Sequence, residues 1–478
     1  MNDSSLDTPI RECYDLLVVG GGIYGASAAY EAARRGLSVL LAERGDFGGA
    51  ASSNSMKIVH GGLRYLQERN LARVVRSHRE LHTLLAIAPH HVQPLRCRLV
   101  VDDRPASFRL KFHAGVKLYS AIAAVAGRTV PGAPVVPPSR YPCWYDGIVG
   151  NTEGYLLDLL HTAVALGEGR VAARNYCTVE QLRHERGRVV GAALESVGDV
   201  GVTGVLECTG AHRAGRPAGL AMNLIVDRLD LASGDEAIGL AHPRDGRFVF
   251  VVPWRGRSMI GTWERRYPHD PAAPLRLEPA WIEECLAWLA PVHPELAALE
   301  RKSVRLVHAG LLPANPHNSE RLSHTDRVVD AGDGRIEVLG TKYTTARGVA
   351  SRAVDLAVRR LGLPTTPGAA KRPLPALVDR TRTIEGRIAE DPSLGARVLE
   401  SSGAPSRAEV LFAIDNERAR NLDDVLLRRT GTASAGHPGT EIVAAVAAVV
   451  RDRLGWSDEE TRRQVSAFDA DPRFPSRP

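Results

Sequence analysis

The 478-residue chain carries 61 lysines and arginines against 55 acids, a net charge of +6, and is 44% hydrophobic, 24% charged and 5% aromatic. That balance excludes a disordered chain, a fibre and an integral membrane bundle, and no stretch nears the roughly 20 continuous apolar residues of a spanning helix. The basic residues are spread among acidic ones and aromatics are few, which argues against nucleic acid as a partner.

The length allows two or three domains and a deep, dry site between them. MNDSSLDTPIRECYD lacks the basic head and apolar body of a signal peptide, so a cytoplasmic location is expected. The six cysteines, Cys13, Cys97, Cys143, Cys177, Cys208 and Cys285, are scattered with no CxxC pair. Reduced thiols acting as small hydrophobes are expected, and no metal site.

From Tyr14 the chain reads YDLLVVGGGIYGASAAYEAARRGLSVLLAERGD: an apolar run, a glycine loop, an alanine-rich helical stretch stopped at Gly36, and a second apolar run. This predicts a β-α-β unit. Gly20, Gly22 and Gly25 form GxGxxG directly after the first strand, and Glu43 closes the second. Glycines at that spacing let the backbone approach a pyrophosphate at the helix N-terminus, where unpaired N–H groups and the helix dipole favour negative charge. Glu43 suits the ribose hydroxyls. No second GxGxxG of this kind occurs, so one dinucleotide is expected and another reactant must bring or remove electrons.

Next comes SSNSMKIVHGGLRYL, Ser52 to Leu66. Val92 to Pro142 reads as irregular, with Arg104, Arg109, Lys111 and Lys117 alternating with Phe108, Phe112, Leu118 and Tyr119. Two readings stay open for it: a basic amphipathic helix on an anionic lipid surface, or a solvated helix on its own domain. A helix is predicted from Thr152 to Ala165, then strands around Thr178 to Leu182 and Val189 to Leu194. GVLECTG, ending in Thr209 and Gly210, predicts a strand completing the nucleotide-binding sheet. RFVFVVPWRGRSMIGTWE predicts two antiparallel strands turning at Arg255 to Arg257. Gly334 to Gly362 predicts strand, glycine turn and long helix, with hydroxyls at Thr341, Tyr343, Thr344 and Thr345. Such a helix start either stabilises charge on a reduced flavin or serves as an ordinary cap. After Pro373 the composition turns helical and charged.

GGGIYGASAAYEAARRGLSVLLAERGD, SSNSMKIVHGGLRYL, CWYD, VVPW, IGTWE, GTKYTTAR and LDDVLLRRTG together, in that order, resemble the FAD-dependent glycerol-3-phosphate dehydrogenases of the D-amino-acid oxidase-like flavoprotein superfamily. The resemblance spans most of the chain and is most specific at SSxSxKxxHGGLRYL. It implies an α/β fold, α+β overall: a Rossmann-like FAD-binding domain, an antiparallel-sheet substrate domain and a C-terminal helical cap. FAD-binding parts are expected at about 14–91, 145–215 and 305–365, substrate-binding parts at about 92–144 and 216–304, and the cap at 371–478.

The implied reaction is oxidation of sn-glycerol 3-phosphate to dihydroxyacetone phosphate by hydride transfer to flavin N5. Electrons pass to a membrane quinone or, in oxidase relatives, to oxygen; another small hydroxylated or amino substrate stays open. By the resemblance, Ser52, Ser53, Ser55 and Lys57 lie near the FAD pyrophosphate and ring, and His60, Gly61 and Gly62 form the turn under the isoalloxazine. With Gly20, Gly22, Ile23, Tyr24, Gly25, Glu43, Thr209, Gly210, Gly340, Lys342, Tyr343 and Thr344 they make up the expected cofactor set. Arg64, Tyr65, Arg305, Arg321 and Lys342 are the expected substrate residues. His60, Arg64, Arg305 and Lys342 are the expected catalytic ones, with His60 either the base or a flavin contact. Fixed cations suit a buried phosphate dianion, which is costly unpaired. A peripheral place on the inner membrane face and a homodimer are left open.

The chain departs from the family at several points. A lysine-glycine and nearby histidine expected around Asn223 to Ser233 are missing, Trp263 and Glu264 stand for threonine-aspartate, the turn reads GTK for GGK, and Ala346 replaces a tyrosine. These changes bear on the substrate face.

Overall fold

The computed structural model describes residues 5–67, 70–101, 105–125, 141–232, 234–315, 318–323, 325–368 and 374–476. It opens with β1 (Cys13–Val19), α1 (Ile23–Arg34) and β2 (Val39–Ala42). β1 is a near-continuous apolar run because both faces of the sheet are covered. Ala26, Ala28, Ala29, Ala32 and Ala33 of α1 are buried, so the helix packs with small side chains on its neighbours. It stops before Gly36, whose φ of +85° suits the left-handed helix exit.

β3 (Ile58–Val59), α2 (Arg64–Gln67), α3 (Leu71–Ile87), β4 (Val92–Val100), α4 (Ala106–Val125) and β5 (Cys143–Val149) follow. The stretch read as irregular thus holds a nine-residue strand. Leu95, Cys97 and Leu99 face inward, while Arg96 and Arg98 between them pair with Glu236. Arg104 lies outside the described residues.

α5 (Thr152–Gly167), capped by the Asn151 side chain accepting from Gly154 N–H at 2.8 Å, leads to β6 (Val171–Arg174), β7 (Val179–Glu185), β8 (Arg188–Leu194) and β9 (Gly198–Glu207). β1, β2, β6 and β9 are parallel neighbours, and β7 and β8 extend β9 antiparallel. β10 (Ala218–Val226), β11 (Ala237–Ala241), β12 (Phe248–Trp254), β13 (Arg257–Arg266), α6 (Pro279–Leu289), α7 (Pro294–Ala297), β14 (Val304–Asn315) and β15 (Asn318–Leu322) come next. β12 and β13 are the expected hairpin.

These strands and β3, β4 and β5 form a second sheet in the order β15-β14-β10-β13-β12-β11-β4-β5-β3, antiparallel except where β4 meets β11. β14 and β15 fall in the 305–365 stretch expected on the FAD side, yet they pair in this second sheet. β16 (Arg327–Asp330) and β17 (Arg335–Leu339) return to the first sheet, with β17 parallel to β9, and α8 (Ala346–Leu361) covers them. The chain ends in helices α9 (Arg380–Glu390), α10 (Arg407–Asp415), α11 (Thr440–Leu454) and α12 (Asp458–Asp469). Among the described residues no helix is long and apolar enough to cross a membrane.

Candidate active site

A cavity of about 890 Å³ runs from the β1–α1 turn to the second sheet. Its first end is a backbone cradle. Gly20 has φ +105°, and a Cβ on Gly25 would lie 1.8 Å from the Gly20 carbonyl oxygen, so glycine is required for the helix to start that close to the strand. The N-cap residue of α1 is Gly22, which has no side chain to offer; the Ser52 hydroxyl accepts from Ile23 N–H at 2.9 Å. Glu43 is half-buried beside this turn and accepts from Gly21 N–H at 2.6 Å and Gly45 N–H at 2.8 Å. Burial raises its carboxyl pKa, and the two N–H donors oppose the rise. Thr209 and Gly210, just past β9, line the same end.

The middle of the cavity is built by the turn between β17 and α8. A Cβ on Gly340 would sit 1.8 Å from the Tyr24 ring, so the turn presses onto that tyrosine. The Tyr24 hydroxyl donates to the Lys342 carbonyl at 2.7 Å, and Thr344 Oγ1 accepts from His60 N–H at 3.1 Å. Lys342 holds its ammonium 3.9 Å from the centroid of the Tyr65 ring, and the Arg73 guanidinium lies 4.2 Å from the same centroid. Two cations on one ring are attracted by its quadrupole. Tyr65 is 2% exposed, and its hydroxyl finds no partner among the described residues.

The far end is walled by the second sheet. Leu99, Phe112, Trp144, Phe248 and Phe250 make an apolar side, while Asn54, Asn223, Thr262 and Glu264 make a polar one. Thr262 donates to Asn223 Oδ1 at 2.8 Å, and buried His308 sets a ring nitrogen 3.3 Å from Asn54 Oδ1. Burial, with nearby Lys57 and Arg473, holds His308 well below the usual range and thus neutral. Arg247 meets Asp245 at 2.8 Å and Glu264 at 3.6 Å, so the charges lining this wall are largely self-paired.

Of the expected residues, the cavity brings together Gly20, Gly22, Ile23, Tyr24, Glu43, Ser52, His60, Gly62, Tyr65, Thr209, Gly210, Gly340, Lys342, Tyr343 and Thr344. Gly25 supports the cradle from behind. Ser53 is buried with its hydroxyl on the Ala50 carbonyl, and Gly61 gives its N–H to Asp146. Lys57 does not reach the cavity: its ammonium is buried, 2.6 Å from the Ser53 carbonyl, 2.6 Å from Thr152 Oγ1 and 3.1 Å from Glu153. Arg305 also stands elsewhere. It pairs with Asp227 at 2.6 Å on an exposed edge, and β14 meets the cavity only from Gly310 onward. The side chains of Arg64 and Arg321 lie outside the described residues.

Sequence reasoning passed over Asn54, Asn223 and Asp146. Asn223 had a readable signal, a lone amide inside the otherwise apolar strand AGLAMNLIV. The other two depend on chain segments distant in sequence.

The glycine cradle, the half-buried acid at the end of β2 and the hydroxyl-rich turn fit a dinucleotide flavin. The FAD dependent oxidoreductase family matches residues 15–356, and the C-terminal domain of alpha-glycerophosphate oxidase matches residues 379–461. A glycerol-3-phosphate dehydrogenase of Synechocystis sp. is 27% identical over 95% of this chain and 95% of its own length. The aerobic glycerol-3-phosphate dehydrogenase of Bacillus subtilis is 27% identical over 75% of this chain and 69% of its own. Among solved structures, the glycerol-3-phosphate dehydrogenase from Bacillus halodurans complexed with FAD superposes with a TM-score of 0.69 at 22% identity, covering 96% of this chain and 94% of that one.

Proposed function

Because the chain belongs to the FAD-dependent oxidoreductase family, we propose that it oxidises sn-glycerol 3-phosphate to dihydroxyacetone phosphate and hands the electrons to a membrane quinone. One observation carries the reading: His60, Tyr65 and Lys342 meet at the point where the cavity passes from the glycine cradle to the second sheet.

FAD, when bound, supplies the hydride acceptor. Gly20, Gly22, Glu43, Ser52, Thr209 and Gly210 would hold its dinucleotide part, and the Gly340 to Thr344 turn would hold its ring. His60, with its N–H fixed on Thr344, takes the proton of the substrate hydroxyl as the hydride departs. Lys342 binds the phosphate, joined in this proposal by Arg64 and Arg321, and Tyr65 offers its unpartnered hydroxyl to the same group. Leu99, Phe112, Trp144, Phe248 and Phe250 exclude water, which strengthens those ionic contacts.

α4 supports the acceptor half. Leu110 and Leu118 are 71% and 51% exposed beside exposed Arg109, Lys111 and Lys117, while Phe112 of the same helix turns inward to meet Phe248 edge to face at 5.4 Å. A lipid surface under α4 would place an apolar acceptor beside the cavity wall.

Anaerobic addition of sn-glycerol 3-phosphate to the purified yellow chain tests the reading. The flavin absorption should bleach within seconds, and hydrogen peroxide should not accumulate when the same turnover is run in air. A second reading is favoured by the placement of Arg305 and by the acids Asp245 and Glu264 in the wall: another small hydroxylated or amino substrate, with oxygen as acceptor. It predicts bleaching by a member of a polyol, hydroxy-acid and amino-acid panel and none by sn-glycerol 3-phosphate. Arg305→Ala should leave kcat/KM within about twofold under either reading, as expected for an exposed ion pair outside the site.

A further inference from the structure

The turn that carries His60 is held from two sides. His60 N–H goes to Thr344 of the flavin-side turn, and the next N–H along the chain, that of Gly61, goes to Asp146 Oδ1 at 2.8 Å. Asp146 belongs to β5 of the second sheet, is 5% exposed and lines the cavity. Its other partners are the Tyr119 hydroxyl, which donates to Oδ1 at 2.8 Å, and the Trp144 indole, which donates to Oδ2 at 2.9 Å.

All three donors are neutral; burial raises the Asp146 carboxyl pKa, and these three bonds oppose the rise and favour the carboxylate that accepts them. A buried carboxylate normally keeps its charge by pairing with a cation, and one held by neutral donors leaves its field uncancelled in the apolar wall around it. The packing leaves the turn no alternative path. A Cβ on Gly61 would lie 2.1 Å from Tyr119 Oη and 2.7 Å from the His78 ring; Gly62 has φ +93°, and a Cβ there would lie 2.6 Å from the Tyr65 ring. Backbone, tyrosine and carboxylate are therefore interlocked at the residues that directly follow His60.

We propose that Asp146 is a positioning residue of the oxidation: it grips the Gly61 amide from the second-sheet side, so that His60 meets the cavity in one orientation, and it sets a fixed negative charge in the cavity wall. Both effects bear on the same step. A clamped backbone removes the freedom that would otherwise be lost when substrate and base align. A negative charge in the same wall favours the imidazolium formed when His60 takes a proton. The same charge opposes electron arrival at a ring seated in the cavity, so it holds the reduction potential of bound FAD down. The proposal rests on the flavoenzyme reading above for its substrate, although its effect on the potential does not.

The test uses the full-length, FAD-loaded chain carrying Asp146→Asn, which keeps the shape and one carbonyl acceptor but removes the charge. FAD content and melting temperature are measured first to establish that the variant folds and loads. Expected are a fall of tenfold or more in the rate of anaerobic flavin reduction, a change in KM of less than threefold, and a midpoint potential that rises relative to the parent. Tyr119→Phe, which keeps the charge and removes one donor, should leave the potential unchanged. A loaded Asp146→Asn chain with the parental potential and rate overturns the proposal, as does a loss confined to KM. If Asp146→Asn fails to load, Asp146→Glu decides: its charge should keep the potential near the parental value while the displaced carboxylate slows reduction, and a parental rate overturns the proposal. A parent that sn-glycerol 3-phosphate does not bleach refutes the substrate reading alone, because the potential is measured with a chemical reductant.

Discussion

Arg429 grips Asp46 with both prongs of its guanidinium, Nη2 at 2.7 Å from Oδ1 and Nη1 at 2.7 Å from Oδ2. Arg428 adds Nε at 2.6 Å from Oδ2. Asp46 lies three residues past Glu43, on the loop that runs on to Ser52, whereas both arginines sit in a π-helical turn of the C-terminal part, Asp424–Arg429. The helical end of the chain is thus bolted to the loop that forms one side of the dinucleotide cradle. Burial resists charge on Asp46, and the two arginines overcome it, holding the carboxyl well below the usual range.

Removing one arm of this buried pair leaves Asp46 under-compensated. Arg429→Met should cost about 3–5 kcal/mol, a typical loss for a buried pair broken on one side. Thermal melting should move down accordingly, and the purified chain should carry less FAD per mole. Full FAD content with a lowered melting point would show that the bolt supports the fold without shaping the cradle.

Lys57 provides a separate test of what holds the Ser52 to Leu66 segment. Its ammonium is almost fully buried against Glu153 at the start of α5, and burial lowers its pKa while Glu153 opposes the drop. Lys57→Met should therefore destabilise strongly, about 3–5 kcal/mol, because Glu153 is left charged and buried. Lys57→Met with Glu153→Gln should recover most of the loss and bind FAD. A double variant that is stable yet colourless would instead assign Lys57 to the cofactor.

The contrast between these residues and the glycines explains what could be read in advance. Gly20, Gly22, Gly25 and Glu43 belong to one local unit, so their spacing along the chain is their spacing in space. Arg305 and Lys57 are different in kind. The side of the sheet that Arg305 faces depends on the register of β14 against β10, which a single strand does not reveal, and a one-residue shift reverses it. Lys57 meets a partner 96 residues away, with φ +61° at its own backbone. β4 was obscured by Pro94 and two arginines although Leu95, Cys97 and Leu99 keep the two-residue alternation. Asp146, within CWYD, carries no local signal of its role, since its partners Gly61 and Tyr119 come from segments that only folding brings together.

The exposed face of α4 makes a prediction about membranes. Leu110 and Leu118 beside Arg109, Lys111 and Lys117 suit the boundary of an anionic bilayer, where apolar burial and charge attraction add. The chain should sediment with vesicles containing anionic phospholipid, less with purely zwitterionic ones, and less again at high salt. Leu110→Ser with Leu118→Ser should reduce sedimentation severalfold and leave flavin reduction by substrate intact. Equal sedimentation of parent and double variant would remove α4 from the binding surface.

His78 predicts an acid limb in the stability of the chain. It is 1% exposed, stacks on Tyr119 at 4.4 Å, and has neither ring nitrogen bonded among the described residues. Burial, aided by the nearby charge of His82, pushes its pKa down from 6.5 to about 4. The unfolded chain binds the proton near pH 6.5 and the folded chain resists it until about 4, so between those values the unfolded state holds more protons. The stability associated with neutral His78 is therefore complete above pH 6.5 and drains away as pH falls toward 4. The span amounts to about 3 kcal/mol at roughly 1.4 kcal/mol per unit. His78→Phe removes this one titration. Denaturant unfolding of parent and variant across the range should show the parent losing about 2–3 kcal/mol more than the variant on acidification. Parallel curves would mean that the ring is already protonated, or that water reaches it, in the folded chain.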